Sequence, residues 1–302
     1  MQTIKYVPVN DIKSFIETFY NKMGTPIDHA KICSDVMIES DLRGIESHGI
    51  GRLYYYYVRL KSGQHKVITE PKIIKETQTT ALIDGNHGLG MVLGKQAMNL
   101  AIEKAKKYGM GSVAVRNSTH FGIAGYYPSM AISEDMIGMT VTNARPSAAP
   151  TFGVTPLLGT NPIAFGVPTD EPFPFLFDAA TPITQRGKIE TYLRESKSAP
   201  EGWVIDQSNN YLTDPKEILE KLPKREAAFL PLGGKGESLG GHKGYGLGVI
   251  VEILSASLQS GAFLTSLSGL DEDGEKVPFR VGHFFMAINI EAFVPPAEFK
   301  KT

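Results

Sequence analysis

The chain changes texture near residue 73, and that change limits the folds open to it. Before it the pattern is helical. Thr25-Pro26-Ile27-Asp28 predicts a helix start, with Thr25 as the cap, Pro26 at the first helical position and Asp28 in the first turn. That helix carries Ile32, Val36, Met37 and Ile38 and stops at Gly44. A second helix is expected from near Ser47 through the run Leu53 to Val58, which would place His48 and Arg52 on one face. After residue 73, short β-like runs appear at 80–83, 112–115, 139–141, 163–167, 175–177 and 284–288. Helical patterns lie at 92–107 and 245–258, the second mostly apolar and expected to be buried. Residues 195–225 are polar and turn-rich and read as a surface excursion. Thirty-one glycines and 19 prolines require many tight turns, so an α/β chain is favoured over a helical bundle.

Charge and cysteine content exclude several classes. Lys and Arg number 31 against 32 Asp and Glu, so no basic surplus points to nucleic acid or an anionic membrane. Cys33 is the only cysteine, which rules out an intrachain disulfide and suits a reducing cytoplasm. The N-terminus MQTIKYVPVNDIK lacks the regions of a signal peptide. The longest apolar stretch, Leu247 to Leu258, is broken by Glu252 and too short to span a bilayer. A soluble, cytoplasmic protein is expected. No H-E-x-x-H or C-x-x-C spacing occurs, so no metal is expected.

Two Gly-flanked polar segments hold the candidate chemistry. Ser47, His48 and Arg52 lie within six residues, a set able to hold a small carboxylate and handle a proton. His120 follows the run 112–115 and precedes Gly122-Ile123-Ala124-Gly125, which opens a helix. Ligands bind at the carboxyl ends of strands in α/β proteins. For both histidines a hydrogen-bonded structural role is the alternative. His29, His65, His87 and His283 read as surface or structural. Ser47 beside His48 is not a hydrolase pair, because neighbouring side chains rarely point at each other. Tyr54 to Tyr57 cover a full helical turn, so both faces must meet something apolar, which a subunit interface would explain.

Two glycine-rich segments need weighing. Thr79 to Asp84 followed by Gly88-Leu89-Gly90-Met91-Val92-Leu93-Gly94 is a variant of the dinucleotide fingerprint, with Arg116 placed to hold a 2′-phosphate. Asp84-Gly85-Asn86-His87 reads as a hairpin-like turn, and no acidic residue ends the next strand, so a structural turn is preferred. Gly236-Glu237-Ser238-Leu239-Gly240-Gly241-His242-Lys243 nearly matches a P-loop, but His242 holds the lysine position and no Ser or Thr follows Lys243. It still predicts a helix start suited to phosphate or carboxylate, against a plain helix-start turn. A phosphate-ligand binding module is the alternative of another class.

Six segments taken in order resemble one family. They are Leu42 to Gly49 with Arg52-Leu53; Thr119 to Tyr127; Gly159 to Pro168; Asp178 to Thr181 with Arg186-Gly187-Lys188; Gly240 to Leu247; and Gly282-His283-Phe284-Phe285. Together they are similar to the malate/L-lactate dehydrogenase type 2 family, which includes ureidoglycolate, sulfolactate and 2,3-diketogulonate dehydrogenases and a cyclic-imine carboxylate reductase. The resemblance runs from about residue 10 to 293.

It implies a non-Rossmann NAD(P)-binding α/β fold, a mixed sheet domain plus a helical domain. Residues 1–72 with 291–302 would form the helical substrate and dimerisation domain, and 73–290 the cofactor-binding domain. It implies a homodimer whose active sites are lined by both subunits, and NAD or NADP as cofactor. His120 would be the acid/base, with Ser47, His48 and Arg52 shaping the substrate pocket. The cofactor would lie along His120, Phe121 and Gly122 to Gly125, Asn143, Thr160, Asp178, Ala179, Ala180, Lys188, Leu232, Gly233, His242 and Lys243. The substrate would be a small 2-hydroxy or 2-oxo acid, malate or L-lactate first, with a cyclic imine carboxylate or ureidoglycolate as alternatives. Arg52 suits the carboxylate because its planar fork matches two oxygens. His120 suits the proton because imidazole titrates near neutrality.

Two departures from the family pattern stand out. Members usually continue well past Glu291-Ala292-Phe293, so this chain is expected to be truncated or incompletely represented, without a tail helix and a cofactor-contacting loop. Arg145 stands where smaller polar residues are usual and is expected to alter cofactor or substrate preference.

Overall fold

The computed structural model describes residues 6–301. The first five residues, on which the reading of the N-terminus partly rests, and Thr302 lie outside the described residues. Three helices come first, α1 (Val9–Lys22), α2 (Ile27–Leu42) and α3 (Leu53–Lys61), with a 3-10 turn, Ile50–Arg52, leading into the third. A hairpin of β1 (Lys72–Glu76) and β2 (Thr80–Asp84) opens the sheet, and α4 (Gly90–Tyr108) carries the chain to β3 (Met110–Ser118). Then follow α5 (Tyr126–Ile132), β4 (Met136–Thr142), β5 (Ile163–Val167) and β6 (Phe175–Ala179). The next stretch holds α6 (Arg186–Arg194), β7 (Val204–Asp206), α7 (Pro215–Lys221), β8 (Ala227–Phe229) and α8 (Gly241–Ser255). β9 (Val281–Asn289) and a short α9 (Pro296–Phe299) complete it.

Seven strands make one sheet in the order β1-β2-β3-β9-β4-β5-β6, and β7 pairs with β8 in a small second one. Among the described residues only the strands β2 and β3 pair in parallel. A parallel pair needs a long crossover, and α4 supplies it. β9 is the middle strand, with Phe285 opposite Val113 on one side and Thr140 on the other. α4 lies so close to β3 that a Cβ on Gly111 would stand 2.2 Å from the Ala101 carbonyl oxygen. Ala97, Met98 and Ala101 bury themselves there against Val113, Val115 and Phe285. A second core joins Ile16, Tyr20, Val36, Met37 and Tyr56 to Leu89, Met91 and Val92 at the start of α4. It ties the helical layer to the sheet where α4 begins.

Four expectations need correction. Thr25 does not cap α2: Pro26 takes the cap position, and the Thr25 side chain is buried with no hydrogen-bond partner. The turn at Gly24 (φ +97°) returns the Thr25 N–H to the Tyr20 carbonyl at 3.0 Å, which draws the residue inward. Nor does a helix start at Ser47. The Asp41 carboxylate accepts the Ile50 N–H at 2.8 Å and fills the space a Cβ on Gly49 would need, holding residues 45–49 as turns. Residues 195–225 are not a bare excursion: Val204, Ile218 and Leu222 pack with Ile189 and Phe229 in a third core. Finally, α8 is not buried all round. Gly244, Gly248 and Glu252 face inward, and a Cβ on Gly244 would stand 2.2 Å from the Leu232 carbonyl. Leu247, Ile250 and Ile253 point outward, 39%, 50% and 51% exposed.

Candidate active site

His120 sits on the loop leaving β3, and that loop is fixed at every residue. Thr119 Oγ1 donates to the Gly88 carbonyl and accepts the Gly90 N–H, both at 2.9 Å. Phe121 lies stacked between His283 (centroids 4.5 Å apart) and Tyr127 (4.8 Å), while the Tyr127 hydroxyl donates to the Phe121 carbonyl. Gly122 has φ +81°, and a Cβ there would meet Val36 at 2.4 Å, so only glycine fits. His283 is a buried tie: its ring nitrogens bond Ser118 Oγ and Thr142 Oγ1, each at 2.7 Å, linking β3, β4 and β9. Burial pushes its imidazole down to about 3.

The other wall comes from the helical layer. The Tyr56 hydroxyl on α3 lies 2.7 Å from His120 Nδ1, and the Gly122 N–H also donates to that nitrogen at 3.3 Å. The His48 ring stacks on His120 at 5.5 Å with planes 21° apart. Contrary to the expectation for neighbouring side chains, Ser47 Oγ does meet His48 Nδ1, at 2.8 Å, and Arg52 Nε donates to the Ser47 carbonyl at 2.5 Å. α6 closes this side. Glu190 meets Arg52 Nη2 at 3.4 Å, and a Cβ on Gly187 would stand 2.7 Å from Ser47 Cβ. Ser47, His48, Arg52 and His120 are therefore brought together, although no helix face joins His48 to Arg52.

Burial dominates the site's electrostatics. It lowers His48 to about 4, with the Arg52 charge adding to the effect. His120 lies well below the ordinary histidine range, first from burial and then from His48, Arg52 and His65. Both imidazoles are neutral at pH 7, and Arg52 supplies the local positive charge. Tyr56 is a residue of this site that sequence reasoning missed, having taken the tyrosine run for an interface. Its signal was the position four residues after Arg52, one turn along α3.

The predicted cofactor residues fall into four places. Phe121 and Gly122 belong to the His120 loop. A strip leads away from that loop: the Gly125 N–H donates to Asp178 Oδ2 at 2.6 Å at the end of β6, and Ala179 and Ala180 follow. The Thr181 N–H donates to the Thr160 carbonyl (3.0 Å), and the Leu232 N–H to the Thr181 carbonyl (2.9 Å). Gly233 (φ +92°) turns the chain toward α8, whose first turn carries exposed His242 and Lys243. Lys188 lies on α6, its amine 5.6 Å over the Tyr192 ring. Asn143 stands apart and buried: its Oδ1 accepts the Gly282 N–H at 2.8 Å and its Nδ2 donates to the Ala262 carbonyl at 3.2 Å.

The glycines of the fingerprint-like turn are consumed by packing. Cβ atoms on Gly88, Gly90 and Gly94 would strike Thr69, the Thr119 carbonyl and the Tyr127 ring. Asn86 and His87, with φ +49° and +60°, make the turn, which joins β2 to α4 rather than two antiparallel strands. Among the described residues no group of three His, Cys, Asp or Glu side chains is arranged to hold a metal, and no helix is long and apolar enough to cross a membrane.

The family model for malate/L-lactate dehydrogenase matches residues 7–302. The chain belongs to the malate/L-lactate dehydrogenase family. It is 48% identical over 294 residues to a malate dehydrogenase of Pyrococcus abyssi, covering 97% of this chain and 78% of that one. It is 43% identical over 294 residues to an L-sulfolactate dehydrogenase of Methanocaldococcus jannaschii, covering 97% and 80%. The crystal structure of malate dehydrogenase from Entamoeba histolytica superposes with a TM-score of 0.96 at 47% identity, covering 99% of this chain and 82% of that one. As a member of the malate/L-lactate dehydrogenase family the protein is an enzyme, a dehydrogenase, and the family uses nicotinamide cofactors. The seven-stranded sheet with one parallel pair is the family's non-Rossmann α/β arrangement.

Proposed function

We propose that the protein interconverts a small 2-hydroxy acid and its 2-oxo acid with NAD or NADP, the acid pair being malate and oxaloacetate or L-lactate and pyruvate. The convergence of Arg52, Ser47, His48 and His120 on one spot carries this reading. Arg52 Nη1 has no partner among the described residues and offers its edge of the fork to a carboxylate. Neutral His48 adds a hydrogen bond without adding charge. When bound, the nicotinamide would supply or take the hydride at C2.

The proton belongs to His120 Nε2, since Nδ1 is held by Tyr56 and Gly122. In oxidation the ring takes the hydroxyl proton at Nε2 as the tautomer that carries Nδ1–H, which donates to the Tyr56 oxygen instead of accepting the Gly122 N–H. In reduction Nε2–H returns the proton to the forming alkoxide. A hydroxyl suits both directions because it donates or accepts.

The strip from Asp178 to Lys243 fits the phosphates of a dinucleotide. Lys243 makes no ion pair among the described residues and stands in the first turn of a fifteen-residue helix. The free N–H groups of such a turn and the helix dipole favour an anion.

A homodimer accords with the exposed Tyr54 (75%) and the outward apolar side of α8, and size-exclusion chromatography with light scattering tests it. A cytoplasmic location accords with Cys33, a free and buried thiol. A division into a helical domain over 1–72 and an α/β domain over 73–290 accords with a sheet core built within 73–290, although the helical core also takes in Leu89, Met91 and Val92. The contacts of residues 291–301 run to Gly109, Asp135 and Asp170, on the sheet side.

The test is NADH and NADPH oxidation against oxaloacetate, pyruvate and a cyclic imine carboxylate. Turnover of a 2-oxo acid supports the reading. Turnover of the imine alone, or Mg²⁺-dependent triphosphate binding without NAD(P)H binding, replaces it.

A further inference from the structure

Beyond His120, on the side of Tyr55, two arginines share one aromatic ring. The Arg59 guanidinium lies 4.6 Å from the Phe279 centroid and 5.0 Å from that of Tyr55, so it is held between the two rings. The Arg145 guanidinium lies 6.0 Å from the same Phe279 centroid. Arg59 is hydrogen-bonded to neutral Gln64, and neither guanidinium meets a carboxylate among the described residues. Burial and the Arg145 charge together lower the Arg59 pKa, the direction expected of two cations facing one another.

A second observation points to a ligand here. His65 is 2% exposed, and neither of its ring nitrogens has a hydrogen-bond partner. Its ring stands 5.7 Å from Phe279 and 6.4 Å from Tyr55. A buried imidazole normally satisfies both nitrogens. The Tyr55 ring is in turn 6.1 Å from His120, so this cage adjoins the reacting position.

We propose that Arg145 and Arg59 form a second anion grip, which takes an oxyanion carried on C3 of the substrate and so selects dianionic 2-oxo acids over pyruvate. The proposal rests on the dehydrogenase reading and extends it to the far end of the substrate. The spacing suits it. Arg59 on α3 lies seven residues after Arg52, in the turn that leads into that helix, so their backbones stand roughly 10 Å apart at the helical rise. A four-carbon dicarboxylate with a guanidinium at each end spans about 11 Å between the guanidinium carbons, from bond lengths and charge-assisted contact distances. Arg52 would hold the C1 carboxylate and His120 the C2 oxygen. An oxyanion between Arg59 and Arg145 would offset their mutual repulsion.

Arg145 is exposed and can be changed without disturbing a core. In Arg145→Gln, the ratio of kcat/KM for oxaloacetate to that for pyruvate is expected to fall about 10- to 100-fold, the effect of one charged hydrogen bond. Arg145→Lys should recover part of it. NADH dissociation constants, read by fluorescence, separate this from a cofactor role. A ratio that moves less than threefold, or a loss shared equally by both acids with weaker NADH binding, overturns the proposal. If the wild type reduces neither acid, the dehydrogenase reading fails on its own terms, and calorimetric titration still reads the grip. Malate binding at least tenfold tighter than lactate in the wild type, with the difference lost in Arg145→Gln, supports it; equal binding overturns it.

Discussion

Replacing Tyr56 with phenylalanine separates the role proposed for its hydroxyl at His120 from its packing. The ring stays in the helical core against Tyr20, 6.4 Å between centroids, and only the hydroxyl leaves. That hydroxyl is 2.7 Å from His120 Nδ1 and is the one group on that nitrogen able to accept a proton, because the Gly122 N–H only donates. When His120 becomes an imidazolium, Nδ1–H needs an acceptor. A hydrogen bond to a charged group is worth about 1.5–3 kcal/mol, whereas a neutral one contributes about 0.5–1.5 kcal/mol to stability. Tyr56→Phe is therefore expected to lower kcat by roughly 10- to 100-fold, since a change of about 1.4 kcal/mol is tenfold in rate, while costing only about 1 kcal/mol of stability. The pH profile gives the sign. The lost acceptor favoured the protonated ring, so the ionisation governing reduction should move to lower pH. Stopped-flow NADH oxidation across pH, beside urea unfolding, measures both. A variant with unchanged kcat and an unmoved profile would refute the assignment. A loss of kcat matched by several kcal/mol of unfolding would show that the hydroxyl serves packing.

Other outcomes follow from the same geometry. His120→Ala should abolish most turnover while NADH still binds, and Arg52→Ala should chiefly raise KM for the acid; near-normal kcat in the first moves the base to His48, and an unchanged KM in the second removes Arg52 from the pocket. Acidification should destabilise the protein through its neutral histidines, His283 and His65 buried and His48 half-buried. His283 and His65 have folded pKa values of about 3 and His48 of about 4, against roughly 6.5 unfolded. The unfolded chain then binds more protons below pH 6.5, so stability is full above that value and falls as pH drops toward 3 to 4. At pH 5 each group costs about 2 kcal/mol. His283→Gln should be less stable at pH 7 yet lose less on going to pH 5, and a urea-unfolding series with the wild-type slope would contradict this. Gly111→Ala should cost about 1–3 kcal/mol because α4 must move off β3; a calorimetric loss under 0.5 kcal/mol would show that the layers have slack.

The amino-acid sequence by itself determined what depends on near neighbours. β5 spans the expected residues 163–167, and α4 extends the expected 92–107 by a residue or two at each end. These follow from apolar periodicity and flanking glycines, which act within a few residues. The collinear motifs also made the family legible and picked out Ser47, His48, Arg52 and His120, which the fold brings together. Tertiary structure decided what depends on distant partners. Only the fold sets β9 between β3 and β4, so that Phe285 meets Val113 and Thr140. Only the fold turns the glycine stripe of α8 inward and its leucines and isoleucines outward, because helix and turn approach too closely for any side chain. The same holds for the site. Tyr56 reaches His120 across 64 residues, and Arg145 and Arg59 converge on a phenylalanine from a third segment. Such contacts arise when separate layers pack, and no local pattern of residues encodes which side chains will then face each other.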